Sequence, residues 1–140
     1  MNFGNELKYL TMLGVLSRKA VQTRNGKWKE FNKHAILISE GTYVNNKKHG
    51  IWREYYDSNG SLMIEETFWH GVQHGRFASY HPNGRVLSEG EFQNGSREGC
   101  FKVYDENGTN IRNIVFANNE EIQEGDGHKL RIDTAAACRV

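Results

Sequence analysis

A phrase of glycines and aromatic residues recurs through most of this chain at a nearly constant spacing of about 24 residues. A landmark glycine falls at Gly26, Gly50, Gly75 and Gly99, and two residues later stands Trp28, Trp52, Phe77 or Phe101. A further aromatic follows at Phe31, at Tyr55 or Tyr56, at Tyr80 and at Tyr104. A second glycine, Gly60, Gly84 or Gly108, follows an asparagine each time, and eight residues beyond it lies Phe68, Phe92 or Phe116. A fixed period of roughly 20–50 residues marks a stack of small units rather than a globule around one pocket.

Between these marks lie short segments rich in aromatic, Ile, Leu and Val residues, as strands prefer. Turn signals arrive about every 12 residues with no helical stripe between them. The pattern predicts an all-β fold: an antiparallel β-meander of stacked β-hairpin repeats of about 24 residues, with a short N-terminal cap. Each Asn-Gly pair is expected to form a type I′ turn, whose two central residues both need positive φ. The polar stretches Asn45–His49, His70–His74 and Asn94–Glu98 read as longer connections ending at a landmark glycine. Gly50, Gly60, Gly75, Gly84, Gly99 and Gly108 are thus assigned as structural turn residues. In the unit that starts at Gly26, Ala35 replaces the turn glycine. A Cβ resists positive φ, so that connection is expected to be another turn type or a looser loop.

Strand parity leaves two arrangements open. Phe77 and Tyr80 are three apart, so either both faces of the sheet carry aromatics or a bulge brings the two together. One extra residue between Gly50 and Gly60 puts Trp52 and Tyr56 on one parity. The chain divides into a cap segment at 1–25, four repeats at 26–118 with the first degenerate, and a polar extension at 119–140. Leu7, Leu10, Leu13 and Leu16 fit a helical stripe in the cap, and a strand through Leu7–Val15 competes with it. One more strand is expected at Lys129–Asp133, followed by mobile last residues.

Eighteen Lys and Arg stand against seventeen Asp and Glu, a formal net charge of +1. Without a basic excess the chain is not expected to bind nucleic acid. Cys100 and Cys138 have no metal-clip spacing and read as two free thiols in a reducing compartment. No segment resembles a signal peptide, a lipidation signal or the ~20-residue apolar run of a membrane span, so a cytoplasmic location is expected. Glu65–Glu66 and Glu120–Glu121 are adjacent on strands and point to opposite faces, which rules out an acid/base dyad within either pair. No phosphate loop, nucleophile elbow or HExxH is present, so neither catalysis nor a cofactor is expected. His70, His74 and Glu98 are the residues a metal would use. A zinc site normally needs three or four convergent ligands, and His49 and His74 recur at matching places, so these read as polar loop residues.

Trp52, Phe77 and Phe101, with Tyr56, Tyr80 and Tyr104, should form ladders across the units. Many of these rings should be core, and those on the less covered face would anchor a partner. The landmarks together resemble the MORN-variant repeat. One copy reads Gly41, Tyr43, Gly50, Trp52, Tyr55–Tyr56, Asn59–Gly60, Leu62, Glu65. The next reads Phe68, Gly71, Gly75, Phe77, Tyr80, Asn83–Gly84, Val86, Glu89, and the third runs from Phe92 to Asn107–Gly108. The similarity covers roughly 26–118, with Asn46 and Ala35 departing from the pattern. It extends to the bacterial antitoxin-like MORN-repeat proteins. That resemblance implies a non-catalytic scaffold that binds and neutralises another protein, such as a toxin. The alternative it implies is a peripheral module holding anionic lipid through Lys47, Lys48, Arg76 and Arg97.

Overall fold

The computed structural model describes residues 23–122 and 134–139. Nine strands form one antiparallel sheet in chain order. They are β1 (Gly26–Phe31), β2 (Leu37–Val44), β3 (Lys47–Tyr55), β4 (Leu62–Trp69), β5 (Val72–Tyr80), β6 (Val86–Gln93), β7 (Ser96–Tyr104), β8 (Asn110–Ala117) and β9 (Glu120–Ile122). The meander and its period are as the repeat predicts. Most of the N-terminal cap and the strand expected at Lys129–Asp133 lie outside the described residues.

The two kinds of turn are exchanged relative to the sequence reading. The stretches taken for longer connections hold the tight two-residue turns. Both central residues have positive φ there: Asn45 and Asn46 (50° and 64°), His70 and Gly71 (48° and 89°), Asn94 and Gly95 (51° and 85°), Asn118 and Asn119 (50° and 69°). This is the type I′ signature, which matches the twist of the flanking strands. At Asn59–Gly60, Asn83–Gly84 and Asn107–Gly108 only the glycine is left-handed, and the loop is longer. Gly84 donates its N–H to the His81 carbonyl at 2.8 Å, and His81 donates to the Arg85 carbonyl at 2.8 Å. Gly50, Gly75 and Gly99 are not turn residues. They lie inside β3, β5 and β7, opposite register shifts in β2, β4 and β6, as bulge positions.

Ala35 also departs from expectation. It adopts φ 61° and takes the glycine's role, donating to the Asn32 carbonyl at 3.0 Å. The Asn32 side chain holds the turn by accepting from the His34 and Ile36 N–H groups at 2.8 and 2.9 Å. Those two bonds offset the cost of a Cβ in the left-handed region.

Residues 134–139 lie against the sheet. A short helix, α1 (Thr134–Ala137), packs against β7 and β8, and the next residue, Cys138, is bridged to Cys100. The cysteines are therefore a disulfide and not free thiols. At a sequence separation of 38, only the fold-back of the tail brings their Cα atoms to 5.1 Å.

Candidate interaction surface

The register resolves the parity question: both faces carry aromatics. Trp28, Tyr43, Trp52, Phe68, Phe77, Phe92, Phe101 and Phe116 share one face. Edge-to-face ring contacts run from Trp28 through Tyr43 to Trp52, and from Phe77 through Phe92 and Phe101 to Phe116. Trp52 is 2 % exposed, and Phe68, Phe101 and Phe116 are also buried. Glycines make room for the larger rings. A Cβ on Gly41 would stand 2.3 Å from the Trp52 ring, and one on Gly90 would stand 2.5 Å from Phe101.

Cations close this face. The residue two before each landmark glycine is Arg24, Lys48, Gln73 or Arg97. Arg24 lies over Trp28 and Tyr43, Lys48 over Trp52 and Phe68 at 4.6 and 4.8 Å, and Arg97 over Phe116 at 4.1 Å. The middle unit differs. Glu66 stands where Gly41 and Gly90 stand in other copies, and its carboxylate accepts from Gln73 at 2.5 Å and meets Lys48 at 3.9 Å. The ring ladder therefore gives way to a polar inset between Trp52 and Phe77.

Tyr55 and Tyr104 belong to the opposite face, where each donates its hydroxyl to a glutamate, Glu40 or Glu89, at 2.7 Å. Tyr80 takes the equivalent place by alternation in β5. Burial and the Glu40 bond push the Tyr55 phenol up to about 12, and the Glu89 bond raises Tyr104. The Tyr55 hydroxyl, with Lys29, in turn holds the Glu40 carboxyl below its ordinary value against the opposing effect of burial. Tyr56, grouped by sequence with Tyr80 and Tyr104, lies beyond β3 in the loop and donates to the Tyr80 carbonyl at 2.7 Å. Tyr55 is their true counterpart. The extra residue is absorbed by the loop, because inside a strand it would turn every following side chain to the wrong face.

The recurring histidines also have a place. His49 accepts from the His70 N–H at 3.5 Å and His74 from the Asn94 N–H at 3.3 Å. Asn25 and Glu98 do the same for Asn45 and Asn118. Each residue before a landmark glycine thus tethers the tight turn of the following hairpin. The four cations considered for lipid divide between the faces: Lys48 and Arg97 cover rings, while Lys47 and Arg76 lie on the other side.

On the face opposite the ring ladder Ala78 and Val115 are buried, but three larger apolar residues around the β4–β5 hairpin face solvent. Trp69 is 61 % exposed, Ile51 51 % and Val72 45 %. Trp69 pairs with Val72 across the β4–β5 turn, and Ile51 pairs with Thr67. The His49 and His70 rings lean on Trp69, with centroids 4.8 and 4.9 Å away. Sequence reasoning missed Trp69 and Val72 because neither carries a repeat landmark. The available signal was disagreement between copies: Ile51, Trp69 and Val72 correspond to Arg76, Gln93 and Ser96 in the next unit. In the last unit they correspond to Cys100, Ala117 and Glu120, where the tail helix packs.

Three consecutive segments, residues 48–70, 73–94 and 97–109, match the family profile described as MORN repeat variant. No curated protein matches the chain. The matched segments begin inside β3 and end in the loop after β7; they contain Ile51 and Trp69, and Val72 falls in the two-residue gap between the first and second.

Proposed function

The chain is a MORN-variant repeat protein, and we propose that it works as a non-catalytic scaffold that binds another protein through Ile51, Trp69 and Val72. The observation that carries this reading is the exposure of a tryptophan and two aliphatic residues side by side. Trp52, Phe68 and Phe116 on the other face are buried under cations, whereas Trp69 has no such cover. Clustered exposed apolar groups mark contact sites, and tryptophan is among the residues that dominate binding energy. Neutralisation is the specific form of this reading. A scaffold that covers a partner's working surface inhibits it without chemistry of its own, as an antitoxin does. Lipid binding has weaker support, because its four cations do not converge on one face and anionic membranes favour dense basic clusters.

The tail supports a proposal about the setting. A disulfide persists where thiols are not kept reduced, so the bridge supports an oxidising compartment in place of the expected cytoplasm.

The test is site-specific photocrosslinking in the native host, with a benzophenone amino acid in place of Trp69 or of Ile111. Ile111 is 62 % exposed but lies on β8, away from the cluster. A discrete protein adduct from position 69 and none from 111 is the expected result. Equal adducts from both positions, or none from 69, would overturn the reading.

A further inference from the structure

We propose that the Ile51–Trp69–Val72 surface recognises an acidic segment of its partner, with one or two large apolar side chains flanked by carboxylates. This rests on the docking reading above and adds the chemistry of the occupant. The apolar centre is rimmed by basic groups. Lys47 precedes His49 by two positions on β3 and is exposed, as are His70 and His74. Arg76 lies one strand from Thr67 across the bulge at Gly75; its guanidinium meets Glu89 at 3.9 Å, and its side chain stays 67 % exposed. On this face the carboxylates Glu65 of β4 and Glu40 of β2 are engaged. Glu65 holds Arg53 at 2.8 Å, and Glu40 accepts from Tyr55 at 2.7 Å and faces Lys29 at 3.4 Å. Glu91, opposite Arg76 on β6, lies on the far side of that arginine from the tryptophan.

The two parts of the surface do different work. Trp69 and Ile51 supply desolvated contact, which gives most of the affinity. Lys47 and Arg76 supply field, which selects an acidic partner and speeds encounter. In the next unit, Arg76, Gln93 and Ser96 occupy the apolar positions, and exposed Glu91 is in the same row. The pairing of apolar centre with basic rim is therefore a property of one unit, as a specific contact requires.

The experiment is selection of a random peptide library displayed on phage against the full oxidised chain. Synthetic peptides of the enriched sequence are then titrated by fluorescence anisotropy. Enriched peptides should carry Leu, Phe or Trp between Asp and Glu residues. Their affinity should fall at least tenfold on Trp69→Ser and severalfold on Lys47→Glu with Arg76→Glu, and it should weaken as salt rises. Circular dichroism checks that each variant keeps its sheet, and Ile51→Ser serves as an independent apolar variant. Basic or neutral consensus peptides, or acidic peptides bound equally by Trp69→Ser, would sink the proposal. Failure to enrich any peptide while phosphatidylserine vesicles bind in a Trp69-dependent way would assign the surface to a membrane and also overturn it. If the crosslinker at position 69 still captures a protein while selected peptides are basic, docking stands and only the acidic preference falls.

Discussion

Trp52 and Trp69 are 17 residues apart in one repeat and live in opposite circumstances. Trp52 is sealed, with Gly41 beneath its ring, Lys48 over it and its indole N–H donating to the Thr42 carbonyl at 3.0 Å. Trp69 has two histidine rings beside it and otherwise faces solvent. The difference teaches that hydrophobicity alone does not separate core from contact in a one-sheet repeat protein. Trp52 is core because Gly41 gives its ring a socket, as Gly90 does for Phe101. The ring without a repeat address is the one left exposed, and it is the one we propose for a partner.

The contrast breaks if the two tryptophans respond alike to truncation. Trp52→Ala should lower unfolding free energy by about 3–5 kcal/mol in urea titration, the usual range for a buried large aromatic. Cys138→Ser should cost about 2–4 kcal/mol, because the bridge restricts the unfolded chain, and reducing agent should lower the wild-type Tm but leave the variant's unchanged. Gly90→Ala should cost about 1–3 kcal/mol, since the new Cβ forces the Phe101 ring from its place. Its Tm compared with that of Gly84→Ala, where open space surrounds the Cβ but φ is 84°, separates socket from backbone strain.

A smaller effect sharpens the picture on the opposite face. The Glu40 carboxyl is lowered in the fold, so its contribution is full above the ordinary carboxylate range and is lost as pH falls through the lowered value. The Tyr55 phenol is raised from 10.0 to about 12, so its contribution is full below pH 10 and is lost as pH rises through about 12. Tyr55→Phe should cost about 1 kcal/mol near neutrality and flatten both limbs of the urea midpoint against pH. Trp69→Ala should change stability least, within about 0.5 kcal/mol, while weakening partner binding by more than 1 kcal/mol. A large loss of stability there would make Trp69 a second core tryptophan and erase the comparison.

Much of the fold was legible because the repeat signals agree with one another. Glycine before aromatic, asparagine before glycine, and a spacing near 24 residues all require the same hairpin stack. The turns were misassigned because Asn-Gly serves two geometries. Its asparagine is left-handed at Asn94 but not at Asn83, and local sequence does not distinguish a two-residue turn from a loop with one left-handed residue. Ala35 escaped prediction for a related reason. Its strain is offset by the Asn32 side chain, a bond visible only once the turn is formed. Phe77 and Phe101 share a ladder as expected, but Glu66 separates Trp52 from them, and the cations over the rings come from residues four positions before Trp28 and Trp52 or nineteen before Phe116. Nothing in composition points to that pairing.

The sequence by itself determined the unit, its period, the strand order and the rows of rings, because these follow from short-range turn chemistry repeated along the chain. Tertiary structure decided which face each ring takes, which rings are sealed, and that Cys138 returns to Cys100. It also decided that Ile51, Trp69 and Val72, drawn from three strands, meet in solvent on one side of the sheet. The physical reason is that local dihedral preferences set a strand and its turn, whereas burial and encounter depend on register across strands, where one bulge or one inserted residue redirects a side chain.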